Sequence, residues 1–157
     1  MLKSTFAGLA AGLLLAGTAE ARQTTYAWTQ VTESGGHYLL YGAGTDDISV
    51  SFRCALSGAR EARMLVYNAY TGDGAEPRRA EIVSGRARQS LRGALNPRIS
   101  VSAFQTQVPL SSPVLGAFVR SGELTVDVDS YEAEAPAPTG PQRDAVARFF
   151  RLCRGGR

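Results

Sequence analysis

The sequence predicts a mainly β domain of α+β class: an antiparallel β-sandwich or barrel-like sheet with a short inserted helix and a longer C-terminal helix. Three observations carry this expectation. Short segments alternate apolar and polar residues with a period of two, most clearly Ile48, Val50, Phe52 and Cys54 against Ser49, Ser51 and Arg53. Turn-forming groups such as Glu33-Ser34-Gly35-Gly36, Ser57-Gly58 and Ser84-Gly85 separate those segments. Beyond the N-terminal segment, helical spacing occurs in two places, both in the last third of the chain. Parallel neighbours need crossovers of a dozen residues or more, so these short connections imply antiparallel pairing.

The first element lies outside this fold. Lys3, an apolar run over residues 6–16 and then Thr18-Ala19-Glu20-Ala21 follow the charged, apolar and small-residue order of a secretory signal peptide, with cleavage expected after Ala21. The apolar run is about eleven residues, whereas a permanent membrane helix needs roughly 20. A cysteine that would take a lipid anchor does not follow the run near the cleavage site. The chain therefore divides into a signal peptide, 1–21, and a single globular domain, 22–157, that is periplasmic or secreted, with no stable membrane span after cleavage.

Residues 26–31 and 37–41 read as a first hairpin across Glu33-Ser34-Gly35-Gly36. Gly42-Ala43-Gly44-Thr45-Asp46-Asp47 is a loop by composition, and the strand over 48–54 follows, with Cys54 facing inward. A further strand is expected over 64–70, then an exposed loop over 71–77. Two weaker strands, 79–83 and 86–91, flank Ser84-Gly85 in hairpin fashion. Asn96-Pro97 leads into an expected strand over 99–104, where Ile99, Val101 and Ala103 alternate with Ser100 and Ser102.

A helix is expected over 113–120. Ser112 suits its N-cap, Pro113 its first position and Gly122 its stop, while Val114, Leu115, Phe118 and Val119 have helical spacing. Leu124, Val126 and Val128 return the chain to a strand. Residues 132–140, rich in Ala, Pro and Glu, read as a surface loop of polyproline character. A helix over 141–153 closes the chain, with Val146, Phe149, Phe150 and Cys153 on one face.

Bulk composition narrows the function. At 44% hydrophobic and 20% charged, the chain is globular in type. Its formal net charge of +3 survives removal of residues 1–21, because Lys3 and Glu20 cancel. Lys3 is also the sole lysine; a preference for arginine this complete reads as the codon bias of a GC-rich genome. Cys54 and Cys153 are the two cysteines, and in an oxidising compartment one disulfide is the expectation.

Candidate chemistry is sparse. His37 is the single histidine, and its neighbours Gly36 and Tyr38 offer no nucleophile motif, so it reads as a strand-end residue. Zinc sites need several His or Cys ligands, and no metal or other cofactor is implied. The acids Asp46, Asp47, Asp73, Glu76, Asp127 and Asp129 do not follow the twelve-residue calcium-loop pattern. Asp127 and Asp129, expected on one strand face, could act as an acid and base pair, although such alternation more commonly marks a polar outer face.

Arg78, Arg79, Arg86, Arg88, Arg92 and Arg98 occupy a stretch whose acids are Glu76 and Glu81. Gathered on one side of a hairpin, Arg78, Arg79, Arg86, Arg88 and Arg92 could bind an anion, such as a teichoic or lipopolysaccharide phosphate, or an acidic protein partner. The ordinary meaning of such a stretch is an edge hairpin defended by charge. Nucleic acid is disfavoured by the export signal and by the lack of aromatics interleaved with these arginines.

The C-terminal third, with Ser112-Pro113-Val114-Leu115, Phe118, Ser121-Gly122-Glu123-Leu124 and Arg148-Phe149-Phe150-Arg151-Leu152-Cys153, resembles small exported proteins of uncharacterised function in GC-rich Gram-negative bacteria. That resemblance implies a periplasmic location and a Cys54–Cys153 bond, and supplies no catalytic residue. Ser34-Gly35-Gly36-His37-Tyr38 and Ser57-Gly58-Ala59-Arg60 resemble loops of periplasmic lysozyme inhibitors, small disulfide-bonded β proteins. A net basic protein is a poor electrostatic match for a basic lysozyme.

The functional expectation is a non-enzymatic binding domain for a cell-envelope component or a periplasmic protein. Inhibition of a lysozyme-like cell-wall hydrolase is the alternative, and a carboxylate-based hydrolase the least favoured.

Overall fold

A computed structural model describes residues 25–156 apart from Thr45, Asp73, Ser100, Val101 and Ser130. The expected signal peptide, residues 1–21, lies outside the described residues. Among the described residues, nine strands form one antiparallel sheet: β1 (Ala27–Glu33), β2 (Gly36–Gly42), β3 (Ile48–Cys54), β4 (Glu61–Val66), β5 (Arg79–Ser84), β6 (Ala87–Leu95), β7 (Phe104–Pro109), β8 (Thr125–Val128) and β9 (Tyr131–Glu134). Their spatial order is β1-β2-β3-β4-β7-β6-β5-β8-β9. Helix α1 (Pro113–Ser121) precedes β8, and α2 (Gly140–Cys153) ends the fold.

Side-chain alternation makes this sheet two-faced. Trp28, Tyr41, Val50, Val66 and Phe104 are successive cross-strand partners, and all are buried. Leu39, Phe52 and Met64 form the next inward row and have no exposed surface. The sheet curls into a half-barrel around this face. Its bend falls in β6, where Ala87–Arg92 pair with β5 and Gly93–Leu95 pair with β7. Glycine is required there, since a Cβ on Gly93 would stand 2.3 Å from the Gln105 carbonyl oxygen and 2.4 Å from the Phe104 ring.

Both helices fill the concave side, α1 against β5 and β6, and α2 against β1 and β2. The start and stop signals act as expected. Ser112 Oγ accepts from the Val114 amide at 3.3 Å, Pro113 opens α1, and Gly122 ends it at φ 73°. For α2, Thr139 Oγ1 accepts from the Gln142 amide at 3.4 Å. Phe118 from α1 and Phe149 and Phe150 from α2 join Trp28 and Phe52 in a cluster of ring contacts, with centroids 5.0–6.4 Å apart. Such pairs contribute about 0.5–1.5 kcal/mol each beyond their burial.

A disulfide joins Cys54 at the end of β3 to Cys153 at the end of α2. Its neighbourhood is tied again by the Ala59 amide, which donates to the Cys153 carbonyl at 2.7 Å.

Of the two architectures expected, the single curled sheet is the barrel-like one. Several expectations need correction. The strand expected over 99–104 lies later, at β7, and its Ser100 and Val101 fall outside the described residues. Asn96 captures the local backbone instead: its side chain accepts from the Arg98 amide, its carbonyl from the Ile99 amide, and its own amide donates to Ala103. The strand expected over 64–70 is β4, ending at Val66, and Asn68 beyond it is left-handed at φ 57°.

Residues 132–140 are no simple surface loop. Tyr131–Glu134 is β9, and Ala133, Ala135 and Ala137 are buried while Glu132, Glu134, Pro136 and Pro138 are exposed. Methyl side chains allow this segment to lie close to the core, where Ala135 and Ala137 donate to the Leu124 and Gly122 carbonyls. Asp129, expected to share a strand face with Asp127, lies in the turn after β8 at φ 51°.

Candidate functional site

The convex face of the sheet carries a row of arginines that strand register assembles. Tyr38 of β2 is opposite Arg53 of β3, Arg53 is opposite Arg63 of β4, and Arg63 is opposite Gln107 of β7. Beyond the bend, Arg92 of β6 is opposite Arg79 of β5. Gly93 pairs with Thr106, so Arg92 and Gln107 are the next residues outward from the last ladder pair between β6 and β7. The row thus runs Arg53, Arg63, Gln107, Arg92, Arg79, spanning about 19 Å along the sheet at about 4.8 Å per strand.

Like charges directly opposite one another destabilise a sheet, and this row contains two such pairs. All four arginines are exposed. Arg53 is held in place: its Nη2 donates to the Gly35 carbonyl at 2.8 Å, and its guanidinium carbon stands 5.3 Å from the Tyr38 ring centroid. A cavity of about 290 Å³ opens beside it, lined by Arg53, Arg63, Gln107, Glu61, Gly35 and Ala59 among others. Among the described residues, the one ion pair is Arg88 Nη1 to Glu81 Oε1 at 3.9 Å, which leaves the carboxylate next to Arg79 already engaged.

A second feature lies at the seam where the half-barrel stops short of closing. Edge strands β1 and β9 are not ladder partners. They meet through Trp28, whose Nε1 donates to the Ala135 carbonyl at 3.0 Å. At one end of the seam a cleft of about 380 Å³ opens beside β9, with Tyr26, Tyr41 and Asp47 on one side and Tyr131, Glu132 and Glu134 on the other. A smaller cavity of about 100 Å³ shares its Asn68 and Tyr131 walls.

The tyrosine rings of this cleft sit in an acidic setting. Tyr26 and Tyr41 have centroids 5.7 Å apart, and the Tyr26 hydroxyl donates to Asp47 Oδ2. That hydrogen bond is the main cause raising the Tyr26 phenol above its ordinary pKa. Tyr41 is raised too, first by burial and then by the charge of Glu134. Among the described residues, the cleft lining contains three carboxylates and no basic side chain.

Of the arginines singled out in the sequence, Arg79, Arg88 and Arg92 share the convex face, whereas Arg86 lies in the hairpin turn and Arg78 precedes β5. Arg98 lies in the turn after Asn96 and lines a separate cavity with Arg63. Arg53 and Arg63 were absent from that set, though each is the polar member of an alternating strand. Asp127 stands between Glu81 and Glu132 across three strands, away from Asp129. His37 is 7% exposed, with Nδ1 2.9 Å from Thr32 Oγ1. The two Ser-Gly loops come together beside the disulfide, where Gly35 and Ala59 line the Arg53 cavity.

Comparison with protein-family models, with curated proteins and with solved structures finds no match.

Proposed function

We propose that this protein is an exported, periplasmic or secreted, non-enzymatic binding domain that holds a phosphate-bearing component of the cell envelope against its convex face. The observation that carries this reading is the arginine row, two directly opposed arginine pairs either side of Gln107. Opposed guanidiniums repel when the face is empty, and an anion laid across them relieves that repulsion. Each guanidinium offers a planar fork of donors that matches phosphate oxygens. The disulfide is consistent with an oxidising compartment, and no described helix is long and apolar enough to cross a membrane. The two sulfurs are bonded to each other, so neither is a free thiol nucleophile.

Binding of fluorescein-labelled polyphosphate, followed by anisotropy at several salt concentrations, tests this. Contact with four arginines should give a log–log salt slope near about −3, taking roughly 0.7 per neutralised phosphate from single-stranded nucleic acid. Arg63→Gln with Arg92→Gln should abolish binding, while Arg86→Gln with Arg148→Gln, the latter on α2, should leave it intact. Equal losses from the two variants would mean that net charge alone attracts the polymer.

A second reading, inhibition of a basic lysozyme-like hydrolase, is favoured by the gathering of Asp47, Glu132 and Glu134 at the seam despite the net positive charge. Unchanged lysozyme rates at stoichiometric excess of the mature protein remove it.

A further inference from the structure

The seam cleft, separate from the arginine row, has chemistry of the opposite sign. Its volume of about 380 Å³ falls within the range of about 300–1,000 Å³ typical of pockets for small ligands and side chains. Tyr26, Tyr41 and Tyr131 provide aromatic surface, whose faces are electronegative and attract cations. Glu132 and Glu134 alternate along β9 and are exposed on its outer side, while Asp47 approaches from the loop before β3. In a chain with 17 Lys and Arg against 14 Asp and Glu, a lining whose described residues include three acids and no base is a local inversion of the overall charge.

We infer that this cleft receives a cationic side chain, the ammonium of a lysine or the guanidinium of an arginine, presented by a partner polypeptide. The described residues contain no group of three metal-ligating side chains close enough to hold a metal ion. The cationic side chain meets aromatic faces on both sides of the seam, with carboxylates at the rim to accept its N–H groups. A neutral sugar would use the rings but gain little from three uncompensated charges. Among the described residues β1 and β9 are the two edges of the sheet, and the cleft opens against the outer one, β9.

Trp28 makes the event visible. It is the single tryptophan, and its ring centroid is 5.1 Å from that of Tyr41 on the cleft wall. Titration of the mature protein with lysine and arginine pentapeptides, read by Trp28 emission and by calorimetry, should give saturable binding, with none for a glutamate pentapeptide. Glu132→Gln with Glu134→Gln should weaken binding about tenfold through the loss of charge-assisted hydrogen bonds. Tyr26→Ala, at an exposed ring, provides an independent variant and should weaken it severalfold. Arg63→Gln with Arg92→Gln should leave it unchanged, so this result stands or falls apart from polyphosphate binding. Absence of saturable binding, equal affinity in the carboxylate variant, or tighter binding of a chito-oligosaccharide that displaces the lysine pentapeptide would overturn the inference.

Discussion

Removing the Cys54–Cys153 bond tests how far one covalent link stabilises this half-barrel. The bond closes a loop with a sequence separation of 99, for which chain-entropy reasoning gives up to about 4.7 kcal/mol. Unfolding entropy is about 2.1 cal/mol/K per residue, so a domain of about 130 residues loses about 17 °C in Tm for that energy. Thermal melts of the protein before and after reduction by a phosphine measure the link without changing a side chain. Cys54→Ala with Cys153→Ala should melt lower still, because both sulfurs are buried and their loss leaves space in the core. A fall of less than about 4 °C on complete reduction would refute the reasoning. It would show that Phe149, Phe150 and the Ala59–Cys153 backbone bond hold α2 unaided.

Trp28→Phe should cost about 1–3 kcal/mol by leaving the buried Ala135 carbonyl without its donor; urea denaturation measures this, with faster amide exchange at Ala135 as the local sign. Gly122→Ala should cost more than about 1 kcal/mol, because φ is 73° and the new Cβ would lie 2.5 Å from the Ala137 carbonyl oxygen; an unchanged urea midpoint would contradict it. The folded pKa of Tyr41 is raised above 10.0, first by burial and then by Glu134. The neutral phenol is therefore the form the fold favours. Its stabilisation is complete below the unfolded pKa and is lost as pH rises through the folded one. Absorbance titration near 295 nm should show late ionisation from both Tyr26 and Tyr41, and Tyr41→Phe should reduce that late component while Tyr26 retains its share. Glu81→Gln should change stability by less than about 0.5 kcal/mol, since its partner Arg88 is largely exposed.

Local signals were readable where they act over a few residues. The alternation from Ile48 to Cys54 is β3 with unchanged ends, and Ser112, Pro113 and Gly122 bracket α1 as their backbone preferences require. Phe104, Thr106 and Val108 alternate with Gln105 and Gln107 as cleanly as any segment, yet the neighbouring Ile99–Ala103 alternation drew the expected strand away from them. Ala133, Ala135 and Ala137 show a period of two that small side chains disguise as loop composition.

The candidate sites were less legible because they arise from pairing between distant strands. Arg53 meets Arg63 once β3 and β4 pair, but Arg63 reaches Gln107 only through the non-local β4–β7 ladder. Tyr26 and Tyr131 come from opposite edges of the sheet. Neither adjacency leaves a mark in linear spacing. A net charge of +3 hides the separation completely, since a sum carries no positions.

The placement of β4 beside β7 also governs what a growing chain exposes. After β4 is made, β1–β4 can pair as a local meander, but its next ladder partner, Phe104–Pro109, is still missing. The helices that cover its inner face, Pro113–Ser121 and Gly140–Cys153, come later still. Synthesis from the N-terminus therefore leaves Leu39, Phe52 and Met64 wet until nearly the whole chain is available. Premature collapse of the first half would present an open apolar sheet with a sticky edge. Folding that waits for the last helix avoids this hazard, as does a holding chaperone that keeps the chain extended, and Cys153 can find Cys54 only at that final stage. With one cysteine pair, the last step has a single intramolecular product and requires oxidation without any reshuffling.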